Sequence, residues 1–520
     1  MDLSDHDLSQ LDEEELLKLP EEVLRRLSVR LLNDLKEARE RLKQNSRNSS
    51  RPPSSEVPWE RERAVSDSTN ELEEGEVRHS DDETESIDSD RSSKEVTQKP
   101  SAGACKPGKQ PGAEGFGRQQ SLAVTGQKEH YPEYCACCGR PLNADRKKAW
   151  TAFETLDLEW ADETQPGLRL TNTRHSYYEI PCRCGHVTRT EPHRTIPQDR
   201  LPSIACSEWR LVGAGLAALI ICLAYRMRLS RERIREFLDD WLGLQLSVGT
   251  IHNTLQESGA AALPIEDELI QAVREDTFLH ADETSWTEMS SLLWLWVFST
   301  SSVTAYWIAY RSSELIENLL GEAYEGWLMS DGYGVYRKYR NRLRCWAHLL
   351  RKAQGLKESL DRQAQQFGSQ TLELLETLIA AIHKARSSPS RTPLTQTFQT
   401  ELAAYRDLCE SMKTVFHPQT RALATEMLND WDAIFRVLEY PSLPLTNNEA
   451  ERALRHWVIL RRISYGTRTE QGSRVFAILI SVIETCRKRQ QSPWIYLAAV
   501  IHHNRAGLAL PKLPAATGSE

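Results

Sequence analysis

Residues Phe278–Trp286 read FLHADETSW. A short apolar run with the look of a buried strand is closed by two acids, Asp282 and Glu283. Burying a carboxylate costs several kcal/mol unless something pairs with it. The stretch therefore predicts a positive partner for Asp282: an arginine, a helix N-terminus or a metal ion. Downstream, SLLWLWVFST (291–300) and VTAYWIAYR (303–311) are aromatic, β-branched runs joined by a polar turn, which predicts a hairpin. A helix is expected at about Ser313–Ala323, and then GWLMSD closes a further strand on Asp331.

The order strand, hairpin, helix, strand predicts an α/β sheet with the first strand between the hairpin and the fourth strand. A right-handed crossover makes the first and fourth strands parallel neighbours. Asp282 and Asp331 then lie together at carboxyl ends of strands, where α/β folds place ligands. Two carboxylates that close repel unless a cation intervenes, so a divalent metal is the expected partner of both.

A third carboxylate is expected from LTNNEAERALRHWVILRR (445–462), which opens a helix capped by Asn447 or Asn448. Glu451 falls in its first turn and Glu449 is a second contender. Asn448-x-x-Glu451 is also a capping-box spacing, in which Glu451 would only close the helix end. Arg452, Arg455, Arg461 and Arg462 follow, and residues 447–505 carry ten basic and four acidic side chains. Carboxylates for metal beside arginines for phosphate fit a phosphodiester substrate. A second basic strip, YRKYRNRLRCWAHLLRK (336–352), holds seven Arg or Lys and no acid, including Arg337, Lys338 and Arg344, with His348 near its end. It reads either as a solvated helix face or as a surface that tracks a nucleic-acid strand.

Upstream, YCACCGRPL and YYEIPCRCGHVTR place Cys135, Cys138, Cys182 and Cys184 as ligands for a structural zinc, across 43 intervening residues. His186, His193 or Cys137 are alternative ligands. Leu211–Tyr225 is apolar but shorter than the roughly 20 residues of a membrane span, which predicts a buried helix. LSRERIREFLDDWLGLQLSVGTIHNTLQESG has a helix-turn-helix outline: one helix from about Ser230 to Trp241, a turn at Gly243, and a second helix capped by Ser247. On a DNA-reading helix Thr250, His252 and Asn253 would point outward.

Pro20–Gln44 carries Leu24, Leu31 and Ala38 at heptad spacing with Leu35 and Leu42 interleaved. That pattern predicts a short coiled coil and self-association, or a helix packed on its own chain. The following stretch, 47–128, is poor in large apolar residues and reads as a disordered acidic linker. The net charge of −9 over 520 residues is concentrated there: residues 51–100 alone hold fifteen acids and seven bases. The rest of the chain is close to neutral, so the average does not argue against DNA. Eleven cysteines behind an acidic, polar Met1–Glu15 predict reduced thiols or metal ligands in a cytoplasmic, nucleoid-associated protein with no membrane role.

Together HADET, SDGY, RCWAH, NNEAERALR and the closing GTRTEQGSRVFAILISVIETCRKRQQSPWIYL resemble the DDE transposases of the insertion-sequence-66 family. The resemblance covers most of the chain. It implies a multidomain α/β architecture with a ribonuclease-H-like catalytic core and a helical insertion, preceded by helix-turn-helix-like and small zinc-knuckle segments. The expected divisions are a zipper-like helix (1–46), the linker (47–128), a zinc-binding segment (129–200) and a helical DNA-binding region (201–270). The first part of the core (271–348), an insertion (349–440), the rest of the core with the third acid (441–505) and a tail (506–520) follow. Carried over by position, the triad is Asp282, Asp331 and Glu451, and Cys345 and His348 match a C-x-x-H element that follows the second acid. The tight C-R-C spacing and the long acidic linker depart from the pattern.

The chemistry so implied is cleavage of element ends by water and attack of the freed 3′-hydroxyl on target DNA. Two Mg²⁺ (or Mn²⁺) ions would be held by the triad, Asp282 between them. The DNA contacts expected are Arg337, Lys338, Arg344, His348, Arg452, Arg455, Arg461 and Arg462. Other readings are a ribonuclease-H-like nuclease that never joins, or a non-catalytic DNA-binding remnant. A zinc hydrolase lacks its H-E-x-x-H cluster.

Overall fold

The computed structural model describes residues 122–515, apart from 161–166, 196–200, 202–203, 322–323 and 389–391, together with Arg25 and Ser28. The expected zipper-like helix and nearly all of the acidic linker lie outside the described residues. From Leu122 onward the chain belongs to one compact unit.

That unit begins with a four-stranded sheet: β1 (Gly126–His130), β2 (Lys148–Glu159), β3 (Arg169–Pro181) and β4 (Val187–Arg189). β1 runs parallel to β3, so Gly126–Lys128, assigned above to the linker, are part of a sheet. The long β2–β3 hairpin accounts for the wide cysteine spacing. Its strands run out and back, returning Cys182 to the end of the sheet at which Cys138 leaves it. β5 (Arg194–Thr195) and β6 (Cys206–Ser207) form a small ribbon.

The apolar run folds as the buried helix expected, α1 (Ala214–Ile221), continued by one π-helical turn over Cys222–Arg226. Asp157 of β2 accepts the N–H of Leu216 at 2.9 Å and so closes the N-terminus of α1. The sheet presses close there: a Cβ on Gly213 would lie 2.1 Å from the Asp157 carboxyl carbon, which excludes any larger residue. α2 (Arg231–Leu242) is capped by the Ser230 hydroxyl and ended by Gly243 at φ +63. Ser247 caps α3 (Val248–Ala262), so the helix-turn-helix outline is present at its expected boundaries. Only the first turns of α3 face solvent. His252 and Asn253 are exposed and Thr250 is half-buried, while Thr254–Ala262 are buried. α4 (Ile265–Glu275) leads into the central sheet.

That sheet holds β7 (Phe278–Glu288), β8 (Ser291–Ser299), β9 (Thr304–Ala309), β10 (Trp327–Ser330) and β11 (Arg342–Arg344), in the order β11-β10-β7-β8-β9. α5 (Ser313–Leu320) makes the crossover. β10 lies parallel to β7, as the sequence predicts. β7 does not stop at Asp282, however. It runs on to Glu288, and it is its pairing with β10 that ends, at His280. The alternation of the ETSW segment supports this longer strand because Trp286 is buried while Thr287 is exposed.

Between β11 and the last helices stands a helical body: α6 (Trp346–Lys357), α7 (Arg362–Ser387), α8 (Leu394–Thr397), α9 (Gln399–Met412), α10 (Pro418–Asn429) and α11 (Trp431–Phe435). Its apolar side chains, among them Trp346, Phe367, Leu375 and Ile434, form a core of their own. α12 (Asn448–Ser464), α13 (Glu470–Lys488) and α14 (Pro493–Arg505) return to the central sheet. α13 covers the outer edge of β9: the N–H groups of Tyr306 and Thr304 donate to the Ser481 and Thr485 hydroxyls at 2.8 and 3.2 Å. An edge that would otherwise offer free donors is sealed by a helix. No helix among the described residues is long and apolar enough to cross a membrane.

Candidate active site

The parallel register sets the first two acids side by side. Met329 of β10 is opposite His280 of β7, so two residues further along each strand stand Asp331 and Asp282. Asp331 accepts the N–H of Tyr333 at 2.9 Å, a local turn that fixes its carboxylate beyond the strand end. Burial first, and then the charges of Asp331, Glu283 and Glu451, together push the Asp282 carboxyl up to about 7 against one bond from the Glu283 N–H. Three other carboxylates therefore act on Asp282, and Glu451 is one of them although it is 169 positions away in the chain.

The start of α12 brings it there. Asn447 occupies the cap position but its side chain makes no capping bond. Instead its Nδ2 donates to the Ala281 carbonyl at 2.8 Å and its Oδ1 meets His280 Nδ1 at 3.0 Å. Its backbone N–H donates to Cys345 Sγ at 3.2 Å. One buried asparagine thus ties β7, the head of α6 and α12 together immediately beside the first acid. Glu451 lies 3.7 Å from His348 Nδ1 and 3.5 Å from the Arg351 guanidinium. Its Oε1 is buried and has no hydrogen-bond partner, which is not the behaviour of a capping-box glutamate. Glu449 is engaged elsewhere, 3.0 Å from Lys488.

Glu283, which sequence reasoning passed over, faces away from Asp282 along the strand. Burial and the charge of Asp331 lift its carboxyl to about 7, even though the Arg311 guanidinium, at 2.7 Å, and the Tyr336 hydroxyl, at 3.3 Å, pull the other way. Arg311 is itself held between the rings of Trp294 and Tyr333. The signal was present in the second acid of HADET, but nothing local marks Arg311 as its partner.

Beside Asp331 a cleft of about 710 Å³ separates the sheet from the helical body, and Arg311, Arg337, Lys352 and Arg421 line it with His348. The basic residues expected at DNA divide into two sets. Arg452, Arg455 and Arg462 are exposed on α12. Arg344 is not available: it is buried against Asp430 and Glu426, because a fully desolvated guanidinium needs carboxylates on both sides. Its expected DNA contact is corrected to a structural one. Arg461 is half-buried and fastens α12 to the Thr284 and Ser285 hydroxyls at 3.1 and 2.9 Å. Arg337 reaches the same Asp430 at 3.0 Å, and Lys338 pairs with Glu317. Arg342, 2.5 Å from Asp430, completes three arginines on one buried carboxylate.

At the other end of the unit the four predicted thiols meet. Cys135 Sγ is 3.7 Å from Cys184 Sγ, Cys138 Sγ is 3.6 Å from Cys182 Sγ, and all four lie within 4.8 Å of one another. Tetrahedral zinc with sulfur at about 2.3 Å sets sulfurs about 3.8 Å apart, so the cluster fits that ion. Both knuckles close on a left-handed glycine, Gly139 at φ +68 and Gly185 at φ +88. The N–H groups of Cys138 and Cys137 hold the Cys135 thiol down at about 6. Cys137, His186 and His193 are not in the cluster.

The sheet thus carries two acids at one level, a distant helix brings a third carboxylate to bear on the first, and a cleft lined by basic side chains opens beside the second. The chain belongs to the transposase IS66 family, whose model matches residues 210–475. Residues 4–85 match a second family, one of unknown function. Two proteins of Sinorhizobium fredii, each described as uncharacterized, are similar to it. y4jO is 30% identical over 173 residues, 33% of this chain and 50% of that protein. y4qI is 24% identical over 388 residues, 66% of this chain and 67% of that protein. The alignment thus spans only half the length of the first.

Proposed function

We propose that the protein is a DDE-type DNA transposase with a ribonuclease-H-like core that cleaves the ends of an insertion sequence and joins them to target DNA. The observation that carries this reading is the convergence of Asp282, Asp331 and Glu451 from β7, the end of β10 and the first turn of α12. Their chemistry fits divalent magnesium or manganese: hard oxygen ligands, mutually repelling, one of them with a buried oxygen that no donor satisfies. When bound, such ions lower the pKa of an entering water and neutralise charge on the departing oxygen.

The chain's own residues do the rest. Asn447 holds the third carboxylate against the first. The Arg311–Glu283 pair stiffens the wall beside Asp331, and Tyr336 packs beneath it. Arg452, Arg455 and Arg462, with Arg337 and His348 at the cleft and Lys338 next to Arg337 in the chain, grip phosphates and track the strand. Water breaks the phosphodiester at the element's end, leaving a 3′-hydroxyl. That hydroxyl then attacks a target phosphate, its proton leaving to solvent and the target's 3′-oxygen departing. The four cysteines hold a structural zinc that steadies the N-terminal sheet, α2 and α3 dock the ends, and the heptad-spaced segment 20–44 pairs two copies. Asp331→Asn is the test: in Mg²⁺ it should still bind end DNA but neither cut nor join it. A variant that still cuts refutes the assignment, and a wild-type protein that cuts without joining makes it a nuclease.

A further inference from the structure

A second knuckle stands beside the third acid. Cys345 Sγ, an imidazole nitrogen of His348 and a Glu451 carboxylate oxygen lie within 4.8 Å of one another. His348 Nδ1 and Glu451 Oε1 are 3.7 Å apart, and each is buried with no hydrogen-bond partner. Two orphaned polar atoms facing each other are rare in a folded interior without an ion or water between them.

The sulfur also faces backbone donors. Burial pushes the Cys345 thiol up, but the N–H groups of Asn447, His348 and Ala347 are directed at it and favour the thiolate. Cys135 receives the same two contacts, from the N–H groups two and three residues along. Cys345-x-x-His348 therefore repeats the backbone geometry of the four-cysteine knuckle, with an imidazole in place of the second thiol. Sulfur, imidazole nitrogen and one carboxylate oxygen suit zinc or cobalt and not magnesium. An imidazole nitrogen and a carboxylate oxygen at about 2.0–2.2 Å from a tetrahedral ion stand about 3.3–3.5 Å apart, so the 3.7 Å pair seen here needs only a small closing movement.

We propose that Cys345, His348 and Glu451 form a zinc-class metal site that takes Glu451 away from magnesium, so that zinc arrests the DNA chemistry. The thiol proton leaves to solvent as the ion binds. Arg351, 3.5 Å from Glu451 and 64% exposed, swings out to water as the cation enters. The arrest rests on the reading of Glu451 given above, whereas the binding does not.

The test is a Co²⁺ titration of the full-length protein with visible and near-ultraviolet spectra. Wild type should take up a second equivalent beyond that of the four-cysteine cluster, with tetrahedral bands and thiolate charge transfer. Cys345→Ser and His348→Ala should each lose that equivalent and its absorbance. Two variants are used because Cys345 is buried; retention of the second equivalent in whichever variant folds overturns the proposal. In a parallel arm Zn²⁺ is titrated into Mg²⁺-dependent strand cleavage. Wild type should be inhibited at least tenfold at zinc concentrations that Cys345→Ser tolerates. Equal inhibition of both also overturns it. Absence of cleavage under every condition, with the second equivalent present, sinks the transposase reading and leaves the metal site standing.

Discussion

Replacing Asp282 by asparagine should make the metal-free protein more stable at pH 8, not less. The Asp282 carboxyl stands at about 7 in the folded chain against 3.8 for an ordinary aspartate. Between those values the folded chain holds a proton that the unfolded chain has released, so stability falls as pH rises through the window. At about 1.4 kcal/mol per pH unit, the ceiling above pH 7 is about 4 kcal/mol. Asp331, Glu283 and Glu451 share the repulsion, so removing one charge relieves part of it, and a gain of about 2 kcal/mol is expected. For a unit of this size that is a rise of about 4 °C in Tm. The assay is thermal unfolding of wild type and Asp282→Asn in EDTA from pH 5 to pH 8. At pH 5 the gain should fall to about a third, since the unfolded aspartate has only begun to separate from the folded one. Saturating Mg²⁺ should erase the difference by stabilising the wild type alone. Equal stability at pH 8, or a gain that does not shrink toward pH 5, refutes the account of Asp282 as a buried carboxylate pressed by its acidic neighbours.

Asp430→Ala should destabilise the helical body by about 3–5 kcal/mol, because it strips Arg344 and Arg342 of a buried partner; protease cleavage within 346–438 would report it. Asn447→Ala should cost about 1–3 kcal/mol through the unsatisfied Ala281 carbonyl. It should also lower Mg²⁺-dependent cleavage well beyond what Tm accounts for, because Glu451 loses its anchor. Cys138→Ser should remove one equivalent of zinc by metal analysis and leave β1–β4 open to proteolysis, with the spectra of the central sheet unchanged.

What was legible in the sequence was local. The strand order of the central sheet followed from periodicity and one handedness rule, and the caps Ser230 and Ser247 and the turn at Gly243 were visible as residues of the right type. The two cysteine pairs could be placed as well. The length of β7 was misread because an acid pair was taken for a strand end, although the alternation continued to Trp286. Arg344 looked like one more base in a cationic strip. Its partners, Asp430 and Glu426, are more than eighty residues away, and no local pattern encodes a pairing across an insertion. Asn447 looked like a helix cap for the same reason: its true acceptor, the Ala281 carbonyl, is 166 residues upstream.

The helical body between β11 and α12 has its own apolar interior and is pinned by Asp430 to three arginines of the segment that precedes it. The path from the second acid to the third therefore passes through a body with a core of its own. A ribosome that has finished both aspartates has still to make α12, so the third carboxylate can reach the first two only when most of the chain exists. Chain order alone thus defers the meeting of the three carboxylates to the closing stage of synthesis.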